Sequence, residues 1–184
     1  MDTLNQGNAY GANWIPGECD VSIRPGWFYH AHEDEKVKKP EDIFQLYLKS
    51  VGRGANLLLN VPPDRRGRIH PNDSAALEGF AQIREKAFFR ELKLGKGIPT
   101  EVNAIVLQED ISKGQRVESF VIELVDDKGQ LHKIMGTTIG RKRIMTFPVI
   151  KAKTVKVRVL SSRGKAILKP HKIYRIEDRL VIPE

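Results

Sequence analysis

Residues 55–61 read ANLLLNV and run straight into PPDRRG, residues 62–67. Seven positions, nearly all apolar, are too few for a helix and too uniform for a surface element, so the segment predicts a strand covered on both faces. Pro62 and Pro63 close it, because a proline cannot continue the ladder. On its N-terminal side, KKPEDIFQLYLKSVGRG (38–54) predicts a helix with Pro40 in the first position and Glu41 and Asp42 at the positive end of the dipole. Gly52 is the expected stop, and Ile43, Leu46, Tyr47 and Val51 form the expected apolar face. On the other side, NDSAALEGFAQIREKA (72–87) predicts a second helix, capped by Asn72 or Asp73, with Leu77, Phe80 and Ile83 inward. Helix, buried strand and helix make an α/β pattern. One such unit cannot close a sheet, and a parallel barrel needs on the order of 250 residues. Residues 1–93 therefore read as the tail of something larger.

The helical period stops near Phe89, and short alternating runs follow. VESFVIEL (117–124) puts Phe120, Ile122 and Leu124 on one face, and TVKVRVL (154–160) puts Val155, Val157 and Val159 on one face with Lys156 and Arg158 opposite. DDKG (126–129) is a hairpin signal, while VLQED, GTTIG, KRIMTF, KAIL and HKIYRI offer further short strands. Seven or eight strands in about ninety residues predict an antiparallel β-sandwich. Lys, Gly and Pro cluster in KLGKGIPT (93–100), which sets the expected domain boundary: 1–93 α/β, 94–184 all-β.

The chain has 184 residues, 40% hydrophobic and 29% charged, with a formal charge of +8. That excess is not uniform: residues 1–93 carry 13 basic and 13 acidic side chains, and residues 94–184 carry 18 and 10. A basic all-β half raises nucleic-acid binding as a class, but the charge is spread over strands with few aromatics and accompanies no nucleic-acid motif. No apolar run is long enough to span a bilayer, and MDTLNQGNAY has neither the basic nor the apolar region of an export signal. A single cysteine, Cys19, excludes an intrachain disulfide and leaves the redox compartment open.

Chemistry concentrates in ECDVSIRPGWFYH, residues 18–30. The chain offers no phosphate-cradling glycine loop, no serine elbow and no metal-spaced His or Cys set, so neither a cofactor nor a metal is expected. Glu18 and Asp20 lie two apart, which on a strand puts both on one face, either as solvated acids or gripping hydroxyls. Trp14, Trp27, Phe28 and Tyr29 supply the aromatic surface that a sugar needs for its C–H patches, although any one ring could equally be packing. His30, with His32 nearby, reads as a hydrogen-bonding neighbour rather than a metal ligand.

Two longer stretches, WIPGECDVSIRPGWFYH and LYLKSVGRGANLLLNVPPDRRGRIHPND, closely resemble the last part of the catalytic domain of the retaining α-L-fucosidases. LQEDISKGQRVESFVIEL and GTTIGRKRIMTFP resemble the β-sandwich that follows it in bacterial and plant members. The resemblance implies a partial (β/α)8-like barrel followed by a jelly-roll, galactose-binding-like sandwich. It implies a double displacement in which one carboxylate attacks the anomeric carbon of terminal fucose and a second protonates the leaving oxygen, the two about 5 Å apart. The family nucleophile is an Asp in a Trp-x-Asp-Gly segment and, in this subgroup, the acid is a Glu in an Arg-Trp-x-Gly-Asn-Glu segment. Neither segment occurs among these 184 residues, and both would precede Met1. The chain alone is therefore expected to be inactive, with Glu18 the fallback acid/base candidate. By resemblance Trp27 lines the fucose pocket against the C6 methyl, and Glu18 and Asp20 hold hydroxyls. Tyr29 and His30 join them as substrate-binding residues, and Arg24 either orients a carboxylate or makes a surface ion pair. Asn60, at the strand's end, could also reach the cleft. The expected partners are a fucosylated glycan and the missing barrel polypeptide, with no nucleic acid or membrane. Family members are commonly secreted, periplasmic or lysosomal. The alternative reading is a carbohydrate-binding β-sandwich without hydrolysis, or a truncated remnant.

Overall fold

The computed structural model describes residues 11–13, 15–95 and 98–181. Its first half contains β1 (Glu18–Ser22), α1 (Pro40–Lys49), β2 (Asn56–Asn60) and α2 (Pro71–Phe88). β1 and β2 pair in parallel from Glu18 opposite Asn56 to Ser22 opposite Asn60, so α1 is the crossover of a βαβ unit. Among the described residues β2 has β1 as its one hydrogen-bonded neighbour, which corrects the expectation of a strand covered on both faces: Leu58 is 50% exposed. Its alternate residue Leu59 packs with Ile23, Ile43, Ala76 and Leu77, so only the helix-facing side is covered.

Both helices end differently from the sequence expectation. α1 begins with Pro40, but the chain then passes through Ser50, whose hydroxyl donates to the Leu46 carbonyl at 2.6 Å, into a short 3-10 turn. Gly54, at φ 85°, stops it in the left-handed region. Gly52 is instead needed for close approach, since a Cβ there would lie 3.3 Å from that of Ile144. α2 starts at Pro71, and its cap is His70, whose Nδ1 accepts from the Asn72 amide, rather than Asn72 or Asp73. Leu77, Phe80 and Ile83 do face inward, though each is only partly buried.

The second half is one five-stranded antiparallel sheet, in the order β5–β4–β6–β3–β7. The strands are β3 (Thr100–Leu107), β4 (Val117–Asp126), β5 (Leu131–Gly136), β6 (Arg143–Ser162) and β7 (Lys172–Tyr174). This corrects the seven or eight strands to five among the described residues. KRIMTF and TVKVRVL fuse into the 20-residue β6, because the residues between them carry no turn signal and Pro148 fits where the register against β3 slips. The first two residues of VLQED end β3 and its Glu109 bridges Leu168 of KAIL, while GTTIG contributes only Gly136, the last residue of β5. The eight strands of a jelly roll are not among those described. The first half of β6 pairs with β3 and the second half with β4. Ile105 and Leu107, Phe120 and Ile122, and Met145 and Phe147 meet in a single core, so the sheet bends over itself. The alternation of β4 and β6 holds: Phe120, Ile122 and Leu124 stand opposite Val159, Val157 and Val155.

The helices form the middle layer. Phe44, Tyr47 and Leu48 of α1 and Ala87 of α2 pack against Ala104, Val106, Ile144 and Tyr174, which are the sheet residues pointing away from its own core. Just before the expected boundary the chain is stitched to the sheet, where the Leu92 amide donates to the Ile173 carbonyl at 2.8 Å.

Candidate functional site

Parallel α/β sheets place their sites at the C-terminal ends of the strands. Here those ends are Ser22 and Asn60, in register, and the aromatic segment PGWFYH follows directly from β1. The Ser22 hydroxyl donates to the Gly26 carbonyl at 2.7 Å, and the Asn60 amide donates both to that hydroxyl oxygen at 3.1 Å and to the Trp27 carbonyl at 2.9 Å. The loop is thus tied by main chain to both strand ends. Trp27 is 52% and Phe28 77% exposed, so neither ring is core. His30 is exposed, its ring 5.5 Å from that of His32, and Tyr29 is half-buried.

Arg24 does not reach a ligand surface, and it is not a surface ion pair: its side chain is fully buried. Its Nε donates to both oxygens of Asp73, at 3.1 and 3.0 Å, and its Nη1 donates to Asp34 at 2.9 Å. The guanidinium lies 4.8 Å from the centre of the Tyr29 ring, and the Tyr29 hydroxyl donates to Asp34 at 3.3 Å. His70 Nε2 is 3.4 Å from the same carboxylate, and the Asn72 side chain donates to the Asp34 carbonyl at 2.9 Å. One buried cation therefore joins the end of β1, the 3-10 turn Ala31–Lys36 and the first turn of α2. Burial opposes its charge, but the hydrogen bonds and charges of Asp34 and Asp73 outweigh that and hold its pKa above the usual arginine value. Burial, and then the charge of Asp34, push the Tyr29 phenol up. Next to this cluster, Asp64 accepts from the Arg66 side chain at 2.6 Å, which holds its carboxyl down at about 2.

Glu18 and Asp20 are exposed on one face of β1, as the alternation predicts. Glu18 is the strand's first residue, however, four positions and about 13 Å from the Ser22 end at the usual rise per residue. Its Oε2 accepts the Asn56 amide across the strand pair at 2.9 Å. Trp14 lies outside the described residues. Asp34, Asp73, Ser22 and His70 are not among the site residues to which the sequence points. Asp73 resembled a helix cap, and Asp34 sits in an acidic run, HEDE, that gave no sign of its buried partner.

Among the described residues no His, Cys, Asp or Glu group has the arrangement to hold a metal ion, and no helix is long and apolar enough to cross a membrane. A hollow of about 690 Å³ lies away from the strand ends, between α2 and the sheet, lined by Tyr47, Phe88 and Tyr174 with Lys142 and Arg84.

A family model described as alpha-L-fucosidase matches residues 2–85. Alpha-L-fucosidase 1 of Arabidopsis thaliana is 30% identical over 210 residues, which cover 89% of this chain and 41% of that protein. A crystal structure from Bacteroides ovatus ATCC 8483 superposes with a TM-score of 0.82 at 42% identity, over 89% of this chain and 31% of that one. A glycoside hydrolase 29 family member from an unknown rumen bacterium superposes with a TM-score of 0.85 at 35% identity, over 94% of this chain and 35% of that one. The chain thus spans about two fifths of the plant relative's length and a third of each bacterial structure.

Proposed function

Since this chain belongs to the α-L-fucosidase family, we propose that it supplies the C-terminal part of a retaining exo-glycosidase that removes terminal α-L-fucose from glycans. In this reading β1–α1–β2–α2 are the last two strand–helix units of the catalytic barrel, and the loop 25–30 is one wall of the fucose cleft. The observation that carries it is Trp27: a half-exposed indole held by its own main chain at the C-terminal ends of two parallel strands. A ring so placed can stack on the apolar C6 methyl of fucose while neighbouring polar groups meet the hydroxyls. Phe28 and His30 extend that wall. Asp20 stands one pleat nearer to it than Glu18, whose bond to Asn56 suits it to holding β1 against β2.

In a polypeptide carrying the complete barrel, Trp27→Ala should weaken L-fucose binding by roughly 1 to 3 kcal/mol, the scale of one stacked ring. The melting temperature should change little, because the ring is half in solvent. Calorimetric titration with L-fucose beside a thermal melt reads both quantities. Unchanged affinity with a stability loss of about 3 to 5 kcal/mol, the usual penalty for emptying a buried aromatic site, would make the loop packing rather than cleft.

The proposed division falls near residue 93. Residues 94–184 should fold alone around the core of β3, β4 and β6, while binding a hydrophobic dye through the exposed Val106, Ile144 and Tyr174 face. Residues 1–93 should aggregate, since losing the large sheet uncovers Phe44, Tyr47 and Leu48 of α1 beside the edges that β1 and β2 already leave open. Separate expression followed by sedimentation and melting checks this, and a monomeric, cooperatively melting 1–93 fragment would overturn it.

A further inference from the structure

The geometry points to Asn60 and Ser22 as positioning residues for the Trp27 indole, an inference that rests on the fucose-cleft reading of that loop. Trp27 is 52% exposed, so packing does not fix its ring. What fixes it is where the backbone of residues 25–27 runs. Two consecutive carbonyls of that backbone are held from the strand ends, Gly26 by the Ser22 hydroxyl at 2.7 Å and Trp27 by the Asn60 amide at 2.9 Å. The same Asn60 nitrogen donates to the Ser22 oxygen at 3.1 Å, and that oxygen also accepts the Arg24 amide at 3.3 Å. Each donor therefore fixes the other. Ser22 and Asn60 are directly opposite in the parallel pair, and Ser22 is buried, so the tether starts from rigid strands.

Other residue types fail at these positions for stated reasons. A leucine at 60 fills similar space but donates nothing, which leaves the Trp27 carbonyl and the Ser22 oxygen short of a partner. An aspartate keeps the shape but turns the donor into an acceptor facing a carbonyl. Asn60 thus acts on the sugar through Trp27 rather than by touching it. It differs from Trp27 in what its loss does: the ring remains, but samples more orientations.

The test uses the full chain with Trp14→Phe, so that Trp27 is the one tryptophan left of the two. In wild-type background at position 60, Trp27 fluorescence should show restricted rotation and moderate quenching by acrylamide. Asn60→Leu, Asn60→Asp and Ser22→Ala should each raise the ring's mobility and its acrylamide quenching, and Ser22→Thr, which keeps the hydroxyl, should restore the original values. Far-ultraviolet circular dichroism confirms that each variant is folded, and three independent variants guard against one that is not. In a second arm, the same substitutions in a polypeptide carrying the complete barrel should weaken L-fucose binding in calorimetric titration roughly two- to tenfold, the scale of one lost hydrogen bond. Unchanged ring mobility in folded Asn60→Leu and Ser22→Ala overturns the positioning role. Increased mobility with no L-fucose binding by the barrel-complete parent leaves the tether standing and overturns the fucose reading instead. A lower melting temperature with mobility unchanged marks the bonds as ordinary loop structure and also overturns it.

Discussion

Asp73→Ala should cost about 3 to 5 kcal/mol of folding stability, the penalty for stranding a buried charge. Arg24 has no exposure with which to recover water, and two of its hydrogen bonds go to Asp73. Asp34 would remain as a single, partly exposed counter-charge. Asp73 also sits in the first turn of α2, where its negative charge favours the helix by a few tenths to about 1 kcal/mol. Urea denaturation of the variant beside wild type measures the sum. The double variant Arg24→Met, Asp73→Leu should recover most of the loss, because replacing a buried pair with apolar side chains of similar size is often close to neutral. A loss below about 1 kcal/mol in Asp73→Ala would show an effectively solvated pair and would remove the anchor that fixes the loop 25–36 to α2.

That anchor marks the boundary of what a linear sequence discloses. The helix start at Pro40, the end of α2 beside Phe89 and the β4–β5 turn were all legible, because each is decided by neighbours in the chain. In that turn Asp126 accepts from the Lys128 and Gln130 amides while Gly129 takes φ 84°. The faces of β4 and β6 were legible from alternation alone. Arg24 was not, since its burial depends on an acid 49 residues away. The strand NLLLN misled for a related reason: its composition suits burial on two sides, and one of those sides has no covering layer among the described residues. β6 was split in two because alternation lapses at Phe147–Pro148, where a bulge rather than a turn accommodates the proline. Of the candidate site, Trp27 stood out through the aromatic cluster beside Glu18 and Asp20 and through the family resemblance, whereas Asn60 and Ser22 were not singled out as its tether. Their meaning lies in the register between two strands, which only the fold supplies.

The same separation between chain and fold bears on the proposed hydrolysis. Retaining hydrolysis needs a nucleophile and an acid about 5 Å apart. Glu18 stands at the far end of β1 from the aromatic loop and is engaged with Asn56, and the exposed Asp20 is its one companion on that face. Glu18 and Asp20 therefore do not stand at the strand ends as such a pair. Losing the covalent catalyst typically costs several orders of magnitude in rate.

The decisive measurement is the time course of aryl α-L-fucoside hydrolysis by the purified 184-residue chain, in a preparation shown to be folded. The account predicts release indistinguishable from buffer, and release restored when the chain is joined to a barrel segment carrying the Trp-x-Asp-Gly and Arg-Trp-x-Gly-Asn-Glu carboxylates. Turnover by the chain alone that Glu18→Gln abolishes would contradict it, and would make Glu18 the catalytic acid.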